Sequence, residues 1–347
     1  MYIQDVDMRL KDWEFRVRNR LPYEVKLDLT ETRIIDFNKE VGSTYVSFSG
    51  GLDSTLLLHF VRIFLGKDIP AVYVDTGLEF PEIREWVNRC KDIYGNIEVI
   101  YPKMSHQEVL TKYGYPFVSK ETAAKIRKLR HGNLSDRYRN YLLNGDERGK
   151  IGRCPVKWQY LAAKNFPVEI SEKCCSVLKE RPLLRYQRRT GRYPFLGITQ
   201  DESFMRARQY ARTGCNVLSG DHIQSKPLGF WNKTDVLRYF VENNLEYCPI
   251  YGDIVLNSDG KYITTGEQRT GCMYCLFGVH LEQEPNRIQR LAVTHPAVYD
   301  YIMRGGDVGA DGIIRPTPKY GLGYRKLQEP LHINLEPMAQ MSLFDRS

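Results

Sequence analysis

Hydrophobic positions along this chain follow two alternating rhythms. Thr44-Tyr45-Val46-Ser47-Phe48, Ala71-Val72-Tyr73-Val74 and Ile97-Glu98-Val99-Ile100-Tyr101 are short runs rich in β-branched and aromatic residues, which predict buried strands. Between the first two lies the apolar run from Leu56 to Leu65, and a stretch through about Cys90 precedes the third; both read as helices. Strands and helices alternating at this spacing predict βαβ units in a parallel sheet, with ligands at the carboxyl ends of the strands. A helix from about Thr32 to Glu40 leads into the first strand. Upstream of it, Val6, Leu10, Trp13 and Val17 recur at helical spacing within residues 5–20. The pattern weakens from Tyr113 to Gly152 and resumes with a strand at Tyr193-Pro194-Phe195-Leu196-Gly197-Ile198. Asn216-Val217-Leu218 reads as a short strand and Asp235 to Asn243 as a helix, whereas residues 305–330, rich in Gly and Pro, read as an extended, irregular tail.

The 347 residues suffice for one large domain with appendages. A hydrophobic content of 42% with 27% charged residues is that of a soluble globular protein. The absence of an 18-residue apolar run and the polar, acidic start Met1-Tyr2-Ile3-Gln4-Asp5 predict no membrane segment and a cytoplasmic location. The net charge of +8 is concentrated: residues 119–153 hold ten Lys/Arg against four Asp/Glu, and residues 179–192 hold six against one. Such patches fit a polyanionic partner, nucleotide or nucleic acid, and equally fit solvated helix faces. Tyr138 and Tyr141, set among the arginines, are positioned in the sequence to stack bases or to sit half-buried.

The stretch that carries most chemistry is Ser49-Gly50-Gly51-Leu52-Asp53-Ser54-Thr55, between the first strand and the apolar helix. A strand turning through glycines into a helix aims free backbone N–H groups at one point, where the helix dipole also favours an anion. Gly50 and Gly51 allow close backbone approach, and Ser49, Ser54 and Thr55 add hydroxyls. No Gly-Lys-Ser/Thr ending follows, which excludes the Walker-type loop.

The eight cysteines argue for thiols or metal ligands rather than a disulfide framework. Cys174-Cys175 and Cys272-Met273-Tyr274-Cys275 are two close pairs, far apart in sequence, of the kind that closes a four-sulfur site. Zinc is one candidate. Adjacent cysteines strain to reach one small ion, and an iron–sulfur cubane accommodates them better; unligated structural thiols are a third reading. Cys154 is an alternative ligand or a reactive thiol, and Cys90, Cys215 and Cys248 read as small hydrophobes.

Ser49-Gly50-Gly51-Leu52-Asp53-Ser54 resembles the pyrophosphate loop of the adenine-nucleotide α-hydrolase superfamily, whose members split ATP to AMP and pyrophosphate or bind sulfonucleotides. Asp75-Thr76-Gly77-Leu78-Glu79-Phe80-Pro81-Glu82 is similar to the stretch that flanks the nucleotide in its phosphoadenosine-phosphosulfate (PAPS) reductase branch. Gly197-Ile198-Thr199-Gln200-Asp201-Glu202-Ser203-Phe204-Met205-Arg206 resembles a further element of that branch, with Thr199 where an arginine is usual. Lys226-Pro227-Leu228-Gly229-Phe230-Trp231-Asn232-Lys233-Thr234-Asp235-Val236 resembles its Pro-Leu turn and following helix, a structural element. The cysteine pairs resemble the 4Fe–4S signature of assimilatory adenosine-phosphosulfate reductases. In order, these matches run from about Ser43 to Gly278.

The resemblance implies a doubly wound parallel α/β sheet of the HUP, adenine-nucleotide α-hydrolase-like type, with a helical basic insertion and an irregular C-terminal extension. The expected divisions are an N-terminal helical segment at 1–42, the nucleotide-binding domain at 43–112 and 153–280, the insertion at 113–152, and C-terminal helices and tail at 281–347. It implies ATP held by Ser49, Gly50, Gly51, Ser54 and Thr55, flanked by Asp75, Thr76 and Gly77. Asp53 is expected to hold Mg2+ or orient the loop, and Lys179 and Arg206 to neutralise the α-phosphate. Cys174, Cys175, Cys272 and Cys275 are the expected ligands of a 4Fe–4S cluster, with zinc the alternative. Sulfonucleotide reductases carry a nucleophilic cysteine in a C-terminal motif, and these residues contain none after Cys275. The expected activity is therefore an adenylating ATP pyrophosphatase similar to the DNA-phosphorothioation enzymes, serving a nucleic-acid or small acceptor, with a sulfur donor protein as a further partner. A sulfonucleotide reductase and a non-catalytic nucleotide or nucleic-acid binder are the alternatives. Gln340-Met341-Ser342-Leu343-Phe344 resembles a sliding-clamp-binding peptide.

Overall fold

The structure, a computed structural model, describes residues 17–18, 20–149, 151–199, 213–220, 222–268 and 270–337. Most of the helix read from residues 5–20, Arg206, and the Gln340–Phe344 peptide lie outside the described residues. In chain order, helix α1 (Tyr23–Val41) leads into β1 (Thr44–Phe48), α2 (Leu52–Leu65), β2 (Ala71–Val74), α3 (Pro81–Tyr94) and β3 (Ile97–Ile100). Helices α4 (His106–Tyr113), α5 (Lys120–His131) and α6 (Asp136–Asn144) follow. A helical turn at Lys173–Cys175 and a π-helical turn at Ser176–Glu180 precede α7 (Arg181–Thr190), β4 (Tyr193–Leu196), β5 (Asn216–Val217), β6 (Gln224–Ser225) and α8 (Lys233–Glu242). Two small hairpins, β7 (Ile254–Leu256) with β8 (Tyr262–Thr264) and β9 (Asp307–Val308) with β10 (Ile314–Arg315), bracket α9 (Arg287–Thr294) and α10 (Pro296–Met303); α11 (Tyr324–Leu331) comes last.

Contacts group the chain into two compact units: Met1–Asp75, Glu79–Tyr101 and Pro182–Thr270 form one, and Thr76–Leu78, Pro102–Arg181 and Gly271–Ser347 the other. The first holds a six-stranded sheet in the order β3-β2-β1-β4-β6-β5. All pairs are parallel except β5 with β6. Its β1 residues are almost all buried, as a strand covered on both faces requires. Alternate side chains go to opposite faces. The row containing Val46 and Phe195 meets α1, where Phe37 packs edge-on against Phe195 at 5.2 Å. Tyr45 meets Tyr186 of α7 at 5.0 Å on the other face. Helices on both faces make the sheet doubly wound, as expected. The order reverses between β1 and β4, and there the carboxyl ends of the strands leave a crevice.

Helix α1 is longer than its apolar pattern predicts, and the reason is chemical. Its buried stripe is Tyr23, Lys26, Thr30, Ile34 and Phe37, at helical spacing but with two polar members. Lys26 Nζ donates to Asp235 Oδ2 at 2.6 Å, and Thr30 Oγ1 accepts from Trp231 Nε1 at 2.8 Å. Asp235 also caps α8, accepting from the Asn232 backbone N–H at 2.9 Å while Asn232 accepts from its own. The Trp231–Asp235 element is thus a lock between two helices, which accounts for its structural character.

The second unit holds α4, α5, α6 and the cysteine-bearing turns, and its last part corrects the expectation of an irregular tail. Leu322, Tyr324, Leu327, Leu331 and Leu335 are all fully buried, and α11 packs by its Tyr324, Leu327 and Leu331 face. The alternation of glycines and prolines there conceals a hairpin and a helix rather than a loop.

Removing Asp235 would strand the 2%-exposed Lys26 ammonium and uncap α8. Asp235→Ala is expected to cost about 3–5 kcal/mol, read as a lower urea midpoint. Adding Lys26→Met should recover much of that loss.

Candidate functional site

The Ser49–Thr55 loop sits at the carboxyl end of β1, at the edge of the sheet's switch point. Gly50 is in the left-handed region at φ +75°, and a Cβ there would come within 2.9 Å of Ile83 Cγ2 and 3.1 Å of Val87 Cγ2 on α3. Only glycine lets the turn lie this close. Ser49 and Ser54 hydroxyls are 2.9 Å apart, and Ser54 Oγ donates to the Gly51 carbonyl at 3.0 Å. The Gly51 N–H reaches Ser49 Oγ at 3.4 Å. Asp53 lies in the first turn of α2, where a carboxylate suits the helix dipole.

The loop after β4 closes against it. A Cβ on Gly197 would fall 2.8 Å from Ser54 Cα and 2.9 Å from the Asp53 carbonyl, so the two backbones are in direct contact. Thr199, 3% exposed, donates from Oγ1 to Asp53 Oδ2 at 3.3 Å. The residue that stands in place of the usual arginine therefore orients the loop's carboxylate.

Two residues that the sequence did not single out complete this edge. The Tyr251 hydroxyl lies 2.5 Å from Thr270 Oγ1 and accepts from the Leu52 N–H at 3.4 Å. Burial raises the Tyr251 phenol well above its usual range, which keeps it a neutral hydrogen-bonding group. Nothing in their spacing from the loop signals this role, since contact arises only in the fold. Thr55, by contrast, is fully buried and its Oγ1 accepts from Trp86 Nε1 at 3.2 Å. That hydroxyl belongs to the core, not to the loop mouth as expected. Asp75 remains with the sheet, its N–H bonded to the Ile100 carbonyl and its carboxylate 3.6 Å from Arg84.

In the second unit, Cys174, Cys175, Cys272 and Cys275 line one small cavity, together with Leu78, His106, Pro116, Leu178, Lys179 and Tyr274. Cys174 and Cys175 end a helical turn that continues as the π-turn carrying Lys179, so both thiols and Lys179 line the same wall. π-turns of this kind recur at functional sites. Glu172, just before them, is clamped by Arg127 through hydrogen bonds of 2.9 and 2.7 Å. The Met273 N–H donates to the Leu78 carbonyl at 2.9 Å and the Tyr274 hydroxyl to the Gly77 carbonyl at 3.3 Å, so Thr76–Leu78 belongs with this wall. Tyr324 of α11, fully buried, donates to the Tyr274 carbonyl at 2.7 Å and braces the loop between Cys272 and Cys275.

Burial and then the other three thiols push Cys174 up, with Lys179 opposing. Cys275 is pushed up to about 12, by burial first and Cys272 next. Burial, chiefly, holds His106 down at about 4, so this imidazole is neutral beside the thiols. Among the described residues, no three His, Cys, Asp or Glu side chains lie close enough to hold one metal ion. Cys154 sits elsewhere, fully buried behind α6 with its N–H on the Leu142 carbonyl, and burial raises its thiol pKa. It has the surroundings of an inert thiol rather than a reactive one.

The basic stretch resolves into paired and unpaired charges. Lys120, Lys125, Arg127 and Arg130 are committed to Glu180, Glu121, Glu172 and Glu169. Among the described residues, Arg137, Arg148 and Arg153 are exposed and make no ion pair. On α6, Tyr138 and Tyr141 stack at 6.3 Å with an 18° tilt, and Lys128 lies 5.6 Å over the Tyr138 ring. No described helix is long and apolar enough to cross a membrane.

A parallel sheet with a glycine- and serine-built loop at its switch point defines a nucleotide-binding α/β protein of the PP-loop kind. The chain belongs to the phosphoadenosine phosphosulfate reductase domain family, an enzyme family whose pattern it matches over residues 43–148 and 152–275. It is 25% identical over 233 residues to an uncharacterized protein of Methanocaldococcus jannaschii, an alignment covering 66% of this chain and 35% of that protein. The chain thus spans about a third of that relative's length. Among solved structures, PAPS reductase from Candida auris in a phosphate complex aligns at 16% identity and TM-score 0.38, covering 74% of this chain and all of that one. Candida glabrata FMN adenylyltransferase in complex with ATP aligns at 10% identity and TM-score 0.38, covering 93% and 88%.

Because Gly197 touches the backbone of α2, Gly197→Ala should displace Ser54 and Asp53 and weaken nucleotide binding at least tenfold. Isothermal titration with Mg2+-ATP, beside a melting curve, tests this; unchanged affinity would mean the loop tolerates the shift.

Proposed function

We propose that this chain is an ATP pyrophosphatase that adenylates an oxygen of an acceptor and thereby activates it for sulfur transfer. The observation that supports this best is the Ser49–Ser54 loop packed against Gly197 and Thr199 at the switch point, with the Asp53 carboxylate at its mouth. Ser49, Gly50, Gly51 and Ser54 would hold the β- and γ-phosphates through N–H and hydroxyl groups, and Asp53 would carry Mg2+ on them. The acceptor oxygen attacks the α-phosphorus, the bond to the bridging oxygen of the β-phosphate breaks, and Mg2+-pyrophosphate leaves. Arg206 is assigned to the negative charge of that step. Lys179 is assigned to it from the sequence, and its place on the cysteine wall supports a second role, as counter-charge to thiolates.

The four cysteines carry the donor set of a 4Fe–4S cluster, whose ligating thiolates sit farther apart than those of one tetrahedral ion. We assign the cluster to these cysteines, with zinc the alternative; adjacent cysteines suit a cubane better than one small ion, and the cluster when bound would supply the sulfur chemistry. We assign the acceptor to nucleic acid, docked on the exposed face of α6, where unpaired arginines flank the Tyr138–Tyr141 stack.

Pyrophosphate release from ATP, stimulated by DNA or RNA, tests the activity. Asp53→Ala should lower it at least 100-fold with the fold intact, and sulfite release from a sulfonucleotide without pyrophosphate would overturn the reading. Anaerobic purification should give a brown protein with about four irons per chain, lost in Cys272→Ser; stoichiometric zinc would replace the cluster. Tyr138→Ala with Arg137→Ala should weaken oligonucleotide binding roughly tenfold or more and flatten its salt dependence.

A further inference from the structure

Among the described residues, the first unit buries Lys26 and Lys226, and they are in opposite circumstances. Lys26, 2% exposed, has its counter-charge in Asp235 at 2.6 Å. Lys226, 3% exposed, has an Nζ with no hydrogen-bond partner among the described residues. A buried ammonium without a partner is costly, and proteins keep one where a ligand supplies the missing charge. Among the described residues its surroundings add no carboxylate: the backbone N–H of Lys226 donates to the Cys215 carbonyl at 2.8 Å, and Cys215 is the described ionisable side chain that acts on it.

Position gives the ligand. Val46 of β1 pairs with Phe195 of β4, and Phe195 pairs with Ser225 of β6, all parallel. The next residues along these strands leave the sheet at one edge: β1 runs into Ser49–Gly51, β4 into Gly197–Thr199, and β6 directly into Lys226. Adjacent strands are about 4.8 Å apart, so Lys226 Cα stands roughly 5 Å from the β4 end and 10 Å from the β1 end. A lysine side chain spans most of the remaining distance to an anion held over the loop. Thr199, on the strand between, contributes a hydroxyl and no charge.

We propose that Lys226 is a phosphate-binding residue of the nucleotide site, its ammonium taking a non-bridging phosphate oxygen of the nucleotide held by the Ser49–Ser54 loop. This rests on the nucleotide reading of that loop. Lys226 then follows a stability–function trade: it destabilises the empty protein and stabilises the loaded one.

The test uses the full chain, Lys226→Met and Lys226→Arg, with Mg2+-ATP titrated by calorimetry and melting followed with and without it. Lys226→Met should bind ATP roughly 10- to 100-fold more weakly, as loss of one charged hydrogen bond implies. Without ATP it should melt at the same temperature as wild type or higher, which a structural lysine would not permit. Lys226→Arg, keeping the charge, should bind within a few-fold of wild type. Equal ATP affinity in wild type and Lys226→Met, or a lower melting temperature of the empty Lys226→Met, overturns the role of Lys226 alone. A wild type that binds no ATP overturns the nucleotide reading as well.

Discussion

The nucleotide edge depends on one backbone-to-backbone approach, Gly197 against Ser54 and Asp53. No side chain fits between them, so the turn after β4 fixes where α2 begins and hence where its N-terminal N–H groups point. Gly50 does the same on the other side of the loop, against Ile83 and Val87. Held between two glycine contacts, the loop has little freedom, and its serines bond to one another and to its backbone. A loop with its geometry already set would lose little entropy in holding a phosphate.

The cysteine wall is built on a different principle. Its two pairs come from a helical turn and from a loop, and neither is rigid by itself. The first pair gains order from Arg127 on Glu172 and from the π-turn that follows. The second gains it from the Tyr324 hydroxyl on the Tyr274 carbonyl. Burial first, and repulsion between gathered thiolates second, raise Cys174 and Cys275. A metal group would reverse that balance by stabilising the deprotonated form.

Local features were legible in the sequence and long-range ones were not. The strands at 44–48, 71–74 and 97–100 and the loop between β1 and α2 follow from residues that are neighbours in the chain. The first turns of α1 were hidden because Lys26 and Thr30 look like surface residues until Asp235 and Trp231, some 200 positions away, bury them. Tyr251 and Thr270 join the loop from a similar distance. Thr55 was misjudged because a hydroxyl beside a glycine loop reads as a ligand, whereas Trp86 claims it. In the last part of the chain, glycines and prolines outweighed the scattered Leu322, Tyr324, Leu327 and Leu331, whose burial shows only in three dimensions.

Charge shows the same division. The basic stretches fit a polyanionic partner and equally fit solvated helix faces, and the structure spends many of those cations internally: Lys120, Lys125, Arg127 and Arg130 meet carboxylates, and Arg189 meets Glu98. Counting charges in a window therefore overstates the field available to a partner, because paired charges at a surface largely cancel beyond a Debye length. What survives is more local and more informative. The half-exposed Tyr138–Tyr141 pair of α6, with the exposed Arg137 beside it, is suited to an extended polyanion, which needs a surface. A single buried ammonium at the sheet edge is suited to a small one, which needs a pocket and full desolvation. The two kinds of cation thus separate by burial what net charge alone runs together.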